Sequence, residues 1–138
     1  MTLTNEQKIQ FLDIIIRHDF KTFILKVFNE VSPQDKYQDN WHIDVICAEL
    51  EAMLRGENNR LIVNIPPRYM KSIICSVAFP AFILGHYPKE SIVCVSYADE
   101  LSKKLAMDCR RVMETEWYKR VFPFSRLAPT HHEIMDFE

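Results

Sequence analysis

Glycine is nearly absent from this sequence: the 138 residues include only two, Gly56 and Gly85. Flexible glycine-rich linkers and glycine-rich loops are therefore excluded. Long apolar runs are also missing, since the longest, residues 77–85, is about half of a membrane span and contains a proline. The first eight residues are polar and lack the apolar core of a secretory signal. We therefore expect a soluble, non-secreted protein that does not enter a membrane.

The sequence also has no excess of positive charge and no paired cysteines. Its net charge is −2, whereas a protein that binds nucleic acid by electrostatics alone is basic overall or along one face. The four cysteines are far apart, and no Cys-x-x-Cys pair occurs, which argues against a zinc or redox motif. They are Cys47, Cys75, Cys94 and Cys109. We predict that all four are reduced residues of the core.

The first half of the chain has the pattern of amphipathic helices. Thr4 and Gln7 have the spacing of a capping box. From Leu12 to Val31 apolar residues recur at helical spacing, with an interruption predicted near His18-Asp19. The polar run from Gln34 to Asn40 ends this stretch. A second helix is predicted from Trp41 to Arg55, and a glycine follows it.

The second half has the pattern of an α/β unit. Leu61 to Ile65 and Ile92 to Val95 are nearly uninterrupted apolar runs of strand length, which predicts strands covered on both faces, as in parallel sheets. Helices are predicted at Ser72 to Leu84, bent by Pro80, and at about Asp99 to Glu116. The β-α-β-α order predicts parallel strands joined by a right-handed crossover.

The junction between the first strand and its helix is the most informative stretch. Residues 60–72 read Arg-Leu-Ile-Val-Asn-Ile-Pro-Pro-Arg-Tyr-Met-Lys-Ser. A strand that breaks at two prolines, followed by Lys71-Ser72 and an apolar helix, has the layout of a phosphate-binding loop. In such loops the lysine contacts the terminal phosphates and the hydroxyl binds magnesium. The alternative is a basic turn that caps a helix.

Three groups of residues in order resemble the start of the ATPase domain of phage terminase large subunits, the motors that drive viral DNA into a preformed capsid. The resemblance covers about residues 38–138, and the tail from Arg126 to Glu138 resembles the segment that leads to the family's third strand. The three groups are Trp41-His42 with residues 60–68, Lys71-Ser72 and Phe79-Pro80; Ser96-Tyr97-Ala98 with Glu100-Leu101; and Arg110-Arg111, Trp117-Tyr118 and Phe122-Pro123.

The resemblance implies an α/β fold, a truncated P-loop NTPase-like (RecA-like) parallel sheet. Residues 1–58 would be a helical N-terminal arm, and residues 59–138 a partial P-loop ATPase-like β-α-β-α unit. The cofactors would be ATP and Mg²⁺. Lys71 would contact the β- and γ-phosphates, Ser72 the magnesium, and Arg68 the γ-phosphate during hydrolysis. Trp41 and His42 would form part of an adenine pocket, and the loop would be completed by Pro67, Tyr69 and Met70.

Two departures from the family pattern bear on activity. The family usually has glycine before the lysine, where this chain has Met70. An L-residue forced to adopt a positive φ there costs roughly 1–2 kcal/mol, so we expect ATP binding to be weak or lost. No apolar strand ending in an acidic residue occurs between Trp117 and Glu138, and these 138 residues do not include the family's nuclease domain. We therefore expect no ATP hydrolysis by this chain alone.

The resemblance also implies partners and a location. These are double-stranded viral DNA, the terminase small subunit and the portal, in the cytoplasm of a bacterial host cell, with no membrane. Two alternatives stay open: a non-catalytic prophage remnant that binds no nucleotide, and a module that associates with a chain carrying the missing strands. Because the predicted sheet has few strands, self-association through unpaired strand edges is a further expectation.

Overall fold

The computed structural model describes residues 2–127. The segment after residue 127, which was expected to lead toward a third strand, lies outside this range. None of the described helices is long and apolar enough to cross a membrane. The helices are α1 (Asn5–His18), α2 (Phe20–Val31), α3 (Trp41–Leu54), a π-helix (Ile73–Ala78), α4 (Phe79–His86), α5 (Asp99–Glu114) and α6 (Glu116–Val121).

The prediction of an α/β fold is wrong, because residues 2–127 contain no β-strand. The truncated P-loop NTPase-like (RecA-like) parallel sheet is therefore not present there. Residues 61–65 alternate between half-buried Leu61, Val63 and Ile65 and exposed neighbours, which is the pattern of an extended chain with one covered face. A strand also needs a neighbour for its backbone groups. No backbone hydrogen bond joins residues 61–65 or 92–95 to other described residues.

The predicted helices of the first half are confirmed. The capping box forms, since the Gln7 N–H donates to Thr4 Oγ1 and the Thr4 N–H to Gln7 Oε1. The interruption falls at Asp19, which ends α1 and accepts a hydrogen bond at 3.0 Å from the Thr22 N–H at the start of α2. Local capping therefore explains the break in one long apolar stripe.

The helical stretch after Ser72 begins with a π-helix, which is wider than the α-helix that the sequence predicted. Instead of an α-helix bent at Pro80, a π-helix precedes α4, and the Phe79 N–H donates to the Ile74 carbonyl five residues earlier. Pro80 lies in the first turn of α4. Proline has no N–H and its ring clashes with the carbonyl four residues before it, and the wider turn accommodates both effects.

Helix α5 ends earlier than predicted, at Glu114, and a short helix follows that the sequence reasoning missed. Thr115 begins α6, because its Oγ1 accepts a hydrogen bond from the Tyr118 N–H at 3.3 Å. The sequence signal for this helix was Thr115, a residue type that often caps helix N-termini, followed by the acidic Glu116 in the first turn. It went unnoticed because α5 and α6 together resemble one interrupted helix.

All the described helices contribute to one apolar core, which contains a cluster of aromatic rings. Phe23 of α2 lies at its centre, and its ring centroid is 5.2 Å from that of Phe82 and 5.7 Å from that of Trp117. The buried Tyr118 hydroxyl donates to the Ala81 carbonyl at 2.7 Å, and burial raises the pKa of Tyr118 to about 12. This core fixes α2 against α4 and α6.

The cysteines are only partly as predicted. All four are free, and Cys47 is buried. Burial raises the pKa of Cys47 to about 12 and that of Cys109 to about 11. Cys94, however, is exposed, because it lies in an irregular segment beside a cavity next to α5 instead of in the core. The prediction of four core cysteines is therefore wrong for Cys94.

Candidate functional site

The loop of residues 66–72 has an unusual backbone. Arg68 has φ of 69° and Met70 has φ of 65°, and no other non-glycine residue in the described range has a positive φ. This left-handed region favours glycine, because an L side chain there approaches the following carbonyl. The sequence therefore carries a non-glycine residue at the position where a glycine was expected, and the loop still adopts the glycine-like conformation.

A cavity of about 950 Å³ lies beside this loop. Its volume is near the upper end of the range for small-molecule pockets, roughly 300–1,000 Å³. Four parts of the chain form its walls: the end of α2, the polar segment after it, the start of α3, and the loop with the first residue of the π-helix. The lining residues are Phe28, Ser32, Asp35, Lys36, Gln38, Asp39, Asn40, His42 and residues 66–73.

The cavity brings together most of the residues that the sequence singled out. Pro67, Arg68, Tyr69, Met70, Lys71, Ser72 and His42 all line it. His42 Nε2 is 3.3 Å from the Tyr69 carbonyl oxygen, and the two rings pack edge to face with centroids 5.4 Å apart. Trp41 is not among the lining residues, and 72% of its surface is exposed. Residues 42 and 66–73 therefore form one site, from which Trp41 is separate.

The charges around the cavity favour an anion. Three cationic side chains line it, Lys36, Arg68 and Lys71, against two carboxylates, Asp35 and Asp39. One of these carboxylates, Asp39, is paired with a lysine that does not line the cavity. The remaining excess of positive charge attracts anionic ligands.

The pairing lysine is Lys21 of α2, whose Nζ lies 2.9 Å from Asp39 and 2.6 Å from Asp44 of α3. The hydrogen bonds that Lys21 donates to Asp44 and Asp39 raise the pKa of Lys21, and the bond that Asp39 accepts from Lys21 lowers the pKa of Asp39. These three side chains join α2, the polar segment and α3, which carry one wall of the cavity.

Sequence reasoning missed this wall. The run from Gln34 to Asn40 was interpreted only as the end of a helix, because polar runs between helices are usually solvated loops. Asp39 and Asn40, however, lie directly before Trp41-His42, and the Asn40 side chain accepts a hydrogen bond from the Trp41 N–H at 2.8 Å. The sequence signal for this wall was the position of the polar run, directly before Trp41-His42, the pair predicted to bind the base.

Ser72 is suited to contribute one oxygen to a metal that arrives with its ligand. It precedes the π-helix, and its side chain makes no capping hydrogen bond. Across residues 2–127 no group of three or more His, Cys, Asp and Glu side chains could hold a metal ion. Magnesium here would therefore depend mainly on phosphate oxygens and water, which is its usual mode of binding with nucleotides.

The left-handed backbone at Met70 makes a stability prediction with a matched control. We expect Met70→Gly to stabilise the protein by about 0.5–1 kcal/mol, because relief of the strain exceeds the extra entropy of the unfolded chain. Met107→Gly, at an exposed position inside α5, should destabilise by about 1 kcal/mol. Urea denaturation measures both. Because the half-buried Met70 side chain also packs against the core, a destabilisation as large as that of Met107→Gly would contradict the strained loop.

No protein-family model, curated protein or solved structure matches the chain, so comparison with known proteins assigns it to no family.

Proposed function

We propose that this chain binds Mg²⁺-ATP in the cavity beside the 66–72 loop. The observation that supports it is that seven of the eight residues singled out from the sequence line one cationic cavity of about 950 Å³. A basic turn that only caps a helix would not need the polar segment, α3 and the loop to converge. The unused Ser72 hydroxyl and the left-handed backbone at Met70 are consistent with a phosphate cradle.

In this proposal the loop end of the cavity holds the phosphates. Lys71 and Arg68 supply positive charge, and the first N–H groups of the helical stretch add donors and the positive end of its dipole. Ser72 supplies an oxygen to magnesium. His42 and Tyr69, whose rings lie edge to face at 74°, would offer the base an aromatic ring face to stack on.

We further propose that the chain is the N-terminal ATPase portion of a terminase large subunit from a phage or prophage. Three groups of residues, in the order in which that family has them, support this. The partners would be double-stranded viral DNA, the small subunit and the portal, in the cytoplasm of a bacterial host. We limit the proposed activity to binding, because hydrolysis in that family needs an acidic pair after a later apolar strand and residues 2–127 contain no strand.

Titration calorimetry with Mg²⁺ and a non-hydrolysable ATP analogue tests nucleotide binding. We expect a dissociation constant of about 10 μM to 1 mM, because Met70 lies where glycine would let the phosphate approach. Lys71→Ala should weaken binding about 10- to 100-fold, the effect of one charge-assisted hydrogen bond. Met70→Gly should tighten it.

Lys104→Ala is the matched control, since Lys104 is exposed on α5 and does not line the cavity. Its binding should equal that of the wild type. Equal affinities for the wild type and Lys71→Ala would contradict the proposed phosphate site. A submicromolar constant would show that Met70 does not obstruct the cradle. No heat of binding at millimolar nucleotide would favour the non-catalytic remnant.

A further inference from the structure

A second cavity, of about 410 Å³, lies beside α5 and shares no lining residue with the cavity at the 66–72 loop. Its walls are the π-helix with α4, one face of α5, and residues 92 and 94–96 of the segment between α4 and α5. Most of the side chains that line it are apolar. Among the described lining residues only Arg110 is charged, and its Nε donates to Glu114 Oε1 at 2.8 Å. The cavity therefore favours an apolar occupant.

Large apolar side chains at the rim of this cavity are exposed. Val95 and Met107 line the cavity and are 89% and 61% exposed. Val93 and Tyr97, two residues to either side of Val95, are also exposed. Exposed apolar side chains that are grouped in this way mark an interaction site. The cavity with these four residues is here named the α5 groove.

The described part of the chain leads directly to the α5 groove. Leu127, the last described residue, lines the cavity and packs against the core. The residues that follow it therefore start at the groove. An extended chain covers about 3.3 Å per residue, so the ten residues from Leu127 to Phe137 can span about 33 Å. Helix α5 has 16 residues and is about 24 Å long, so these residues can reach any part of the groove.

The sequence after Leu127 is suited to cover such a surface. Residues 128–138, here named the tail, read Ala-Pro-Thr-His-His-Glu-Ile-Met-Asp-Phe-Glu. In an extended chain Met135 and Phe137 lie on one side, and Asp136 and Glu138 lie on the other. The first side suits an apolar cavity and the second suits water. Methionine also adapts its shape to irregular apolar gaps.

The covalent connection favours the tail over any occupant from solution. A segment joined by a short linker has an effective concentration of about 1 mM. A second copy of the chain at about 1 μM is roughly a thousandfold more dilute, so it would need to bind the groove about a thousandfold more tightly to compete. The same holds for an apolar small molecule. The tail is therefore the occupant that the position of Leu127 selects.

We propose that the tail folds back onto the α5 groove and that Met135 and Phe137 dock in its apolar cavity. The docked tail covers Cys94, which lines the cavity and is exposed among the described residues. It also removes the apolar rim from water. Because the two cavities share no lining residue, this docking is independent of nucleotide binding.

The rate at which Cys94 reacts with iodoacetamide in the full chain, located by mass spectrometry, tests the docking. Met135→Ser/Phe137→Ser should raise this rate about tenfold or more, because serines do not hold a tethered segment in an apolar groove. Serine adds no charge, so the ionisation of the thiol is not changed directly. The wild-type rate should be the same from about 1 to 100 μM protein, since a tethered occupant is not diluted.

Thr130→Ser/His132→Ser is the matched control. It places two serines at polar positions of the same tail and should leave the rate at the wild-type value. Cys47 is buried in the core, and it should stay unreactive in every variant while the helices remain packed. A reactive Cys47 would show unfolding instead of release of the tail.

A substitution in the groove itself tests the other side of the contact. Met107→Gln changes an exposed residue that lines the cavity and keeps a good helix former in α5. It should raise the Cys94 rate as the tail variant does. The two changes together should add little to either alone, because both remove the same contact.

Two results would overturn the inference. One is an equal Cys94 rate in the wild type and in Met135→Ser/Phe137→Ser. The other is protection of Cys94 that increases with protein concentration, which would show that a second copy, and not the tail, covers the groove.

Discussion

Phe23→Ala is expected to destabilise the protein by about 3–5 kcal/mol, the usual cost of truncating a fully buried phenylalanine. The Phe23 side chain is 0% exposed. Its ring meets Phe82, Trp117, Tyr118 and Phe122, with centroids between 5.2 and 6.3 Å away. Four large rings that contact one another cannot collapse easily into the space, so a cavity would remain.

Urea denaturation followed by circular dichroism measures this effect. Phe124→Ala is the control, because Phe124 is largely exposed and its removal should change the free energy of unfolding by less than about 0.5 kcal/mol. Similar effects of the two substitutions would contradict the central position of Phe23. A domain of ordinary stability has about 5–15 kcal/mol, so Phe23→Ala removes a large part of it.

The same substitution should weaken nucleotide binding. Helix α2 carries Phe23 in the core and Phe28 at the cavity, while the π-helix begins at the other wall with Ile73. Phe23 packs against Phe82 in α4, which continues directly from the π-helix. The core therefore sets the distance between the two walls, and loosening it should reduce affinity even in the folded fraction.

The helices could be predicted from the sequence because their signals are local. The Thr4–Gln7 capping box, the break at Asp19 and the glycine after α3 each depend on contacts within a few residues. The loop could also be predicted, as Lys71-Ser72 follows two prolines. The positive φ at Met70 agrees with the expectation from the resemblance, in which a glycine stands before the lysine.

The sheet and one cavity wall could not be predicted correctly, because their evidence is not local. A short apolar run is compatible with a strand covered on both faces and with an irregular segment covered on one. Leu61, Val63 and Ile65 face the helices while Ile62 is exposed, a distinction that depends on neighbours elsewhere in the chain. Residues 35–40 likewise are held beside the cavity by contacts with distant residues, since Lys21 joins Asp39 to Asp44 and the Tyr37 ring packs on Phe28.

Gly85→Ala is the second large effect that we expect, and its sign is opposite to that of an ordinary helix substitution. Gly85 was predicted to stop a helix, but it lies inside α4 and is buried. A Cβ at this position would lie 2.6 Å from Phe122 Cγ and 2.7 Å from both Cδ atoms. In an exposed helix the same change would stabilise by about 0.5–1 kcal/mol.

The base of the Phe122 ring, and not its flexible end, occupies the space beside Gly85. Phe122 is 1% exposed and packs against Tyr118 and His86, with ring centroids 5.1 and 5.0 Å away. The ring cannot shift without moving these neighbours. We therefore expect Gly85→Ala to destabilise by about 1–3 kcal/mol, the range for overpacking a core.

A double-mutant cycle with Phe122→Leu distinguishes overpacking from a backbone effect. Leucine is smaller, so in that background Gly85→Ala should cost at least 1 kcal/mol less, which is within the usual range of coupling between contacting residues, about 0.5–3 kcal/mol. Gly56→Ala is the backbone control, since Gly56 has φ of 76° and a Cβ there would meet no atom within 4 Å beyond its chain neighbours. Its cost, about 1 kcal/mol, should not change with Phe122→Leu. Additive effects of Gly85→Ala and Phe122→Leu would show that the close approach of Phe122 does not explain this glycine, one of only two in the chain.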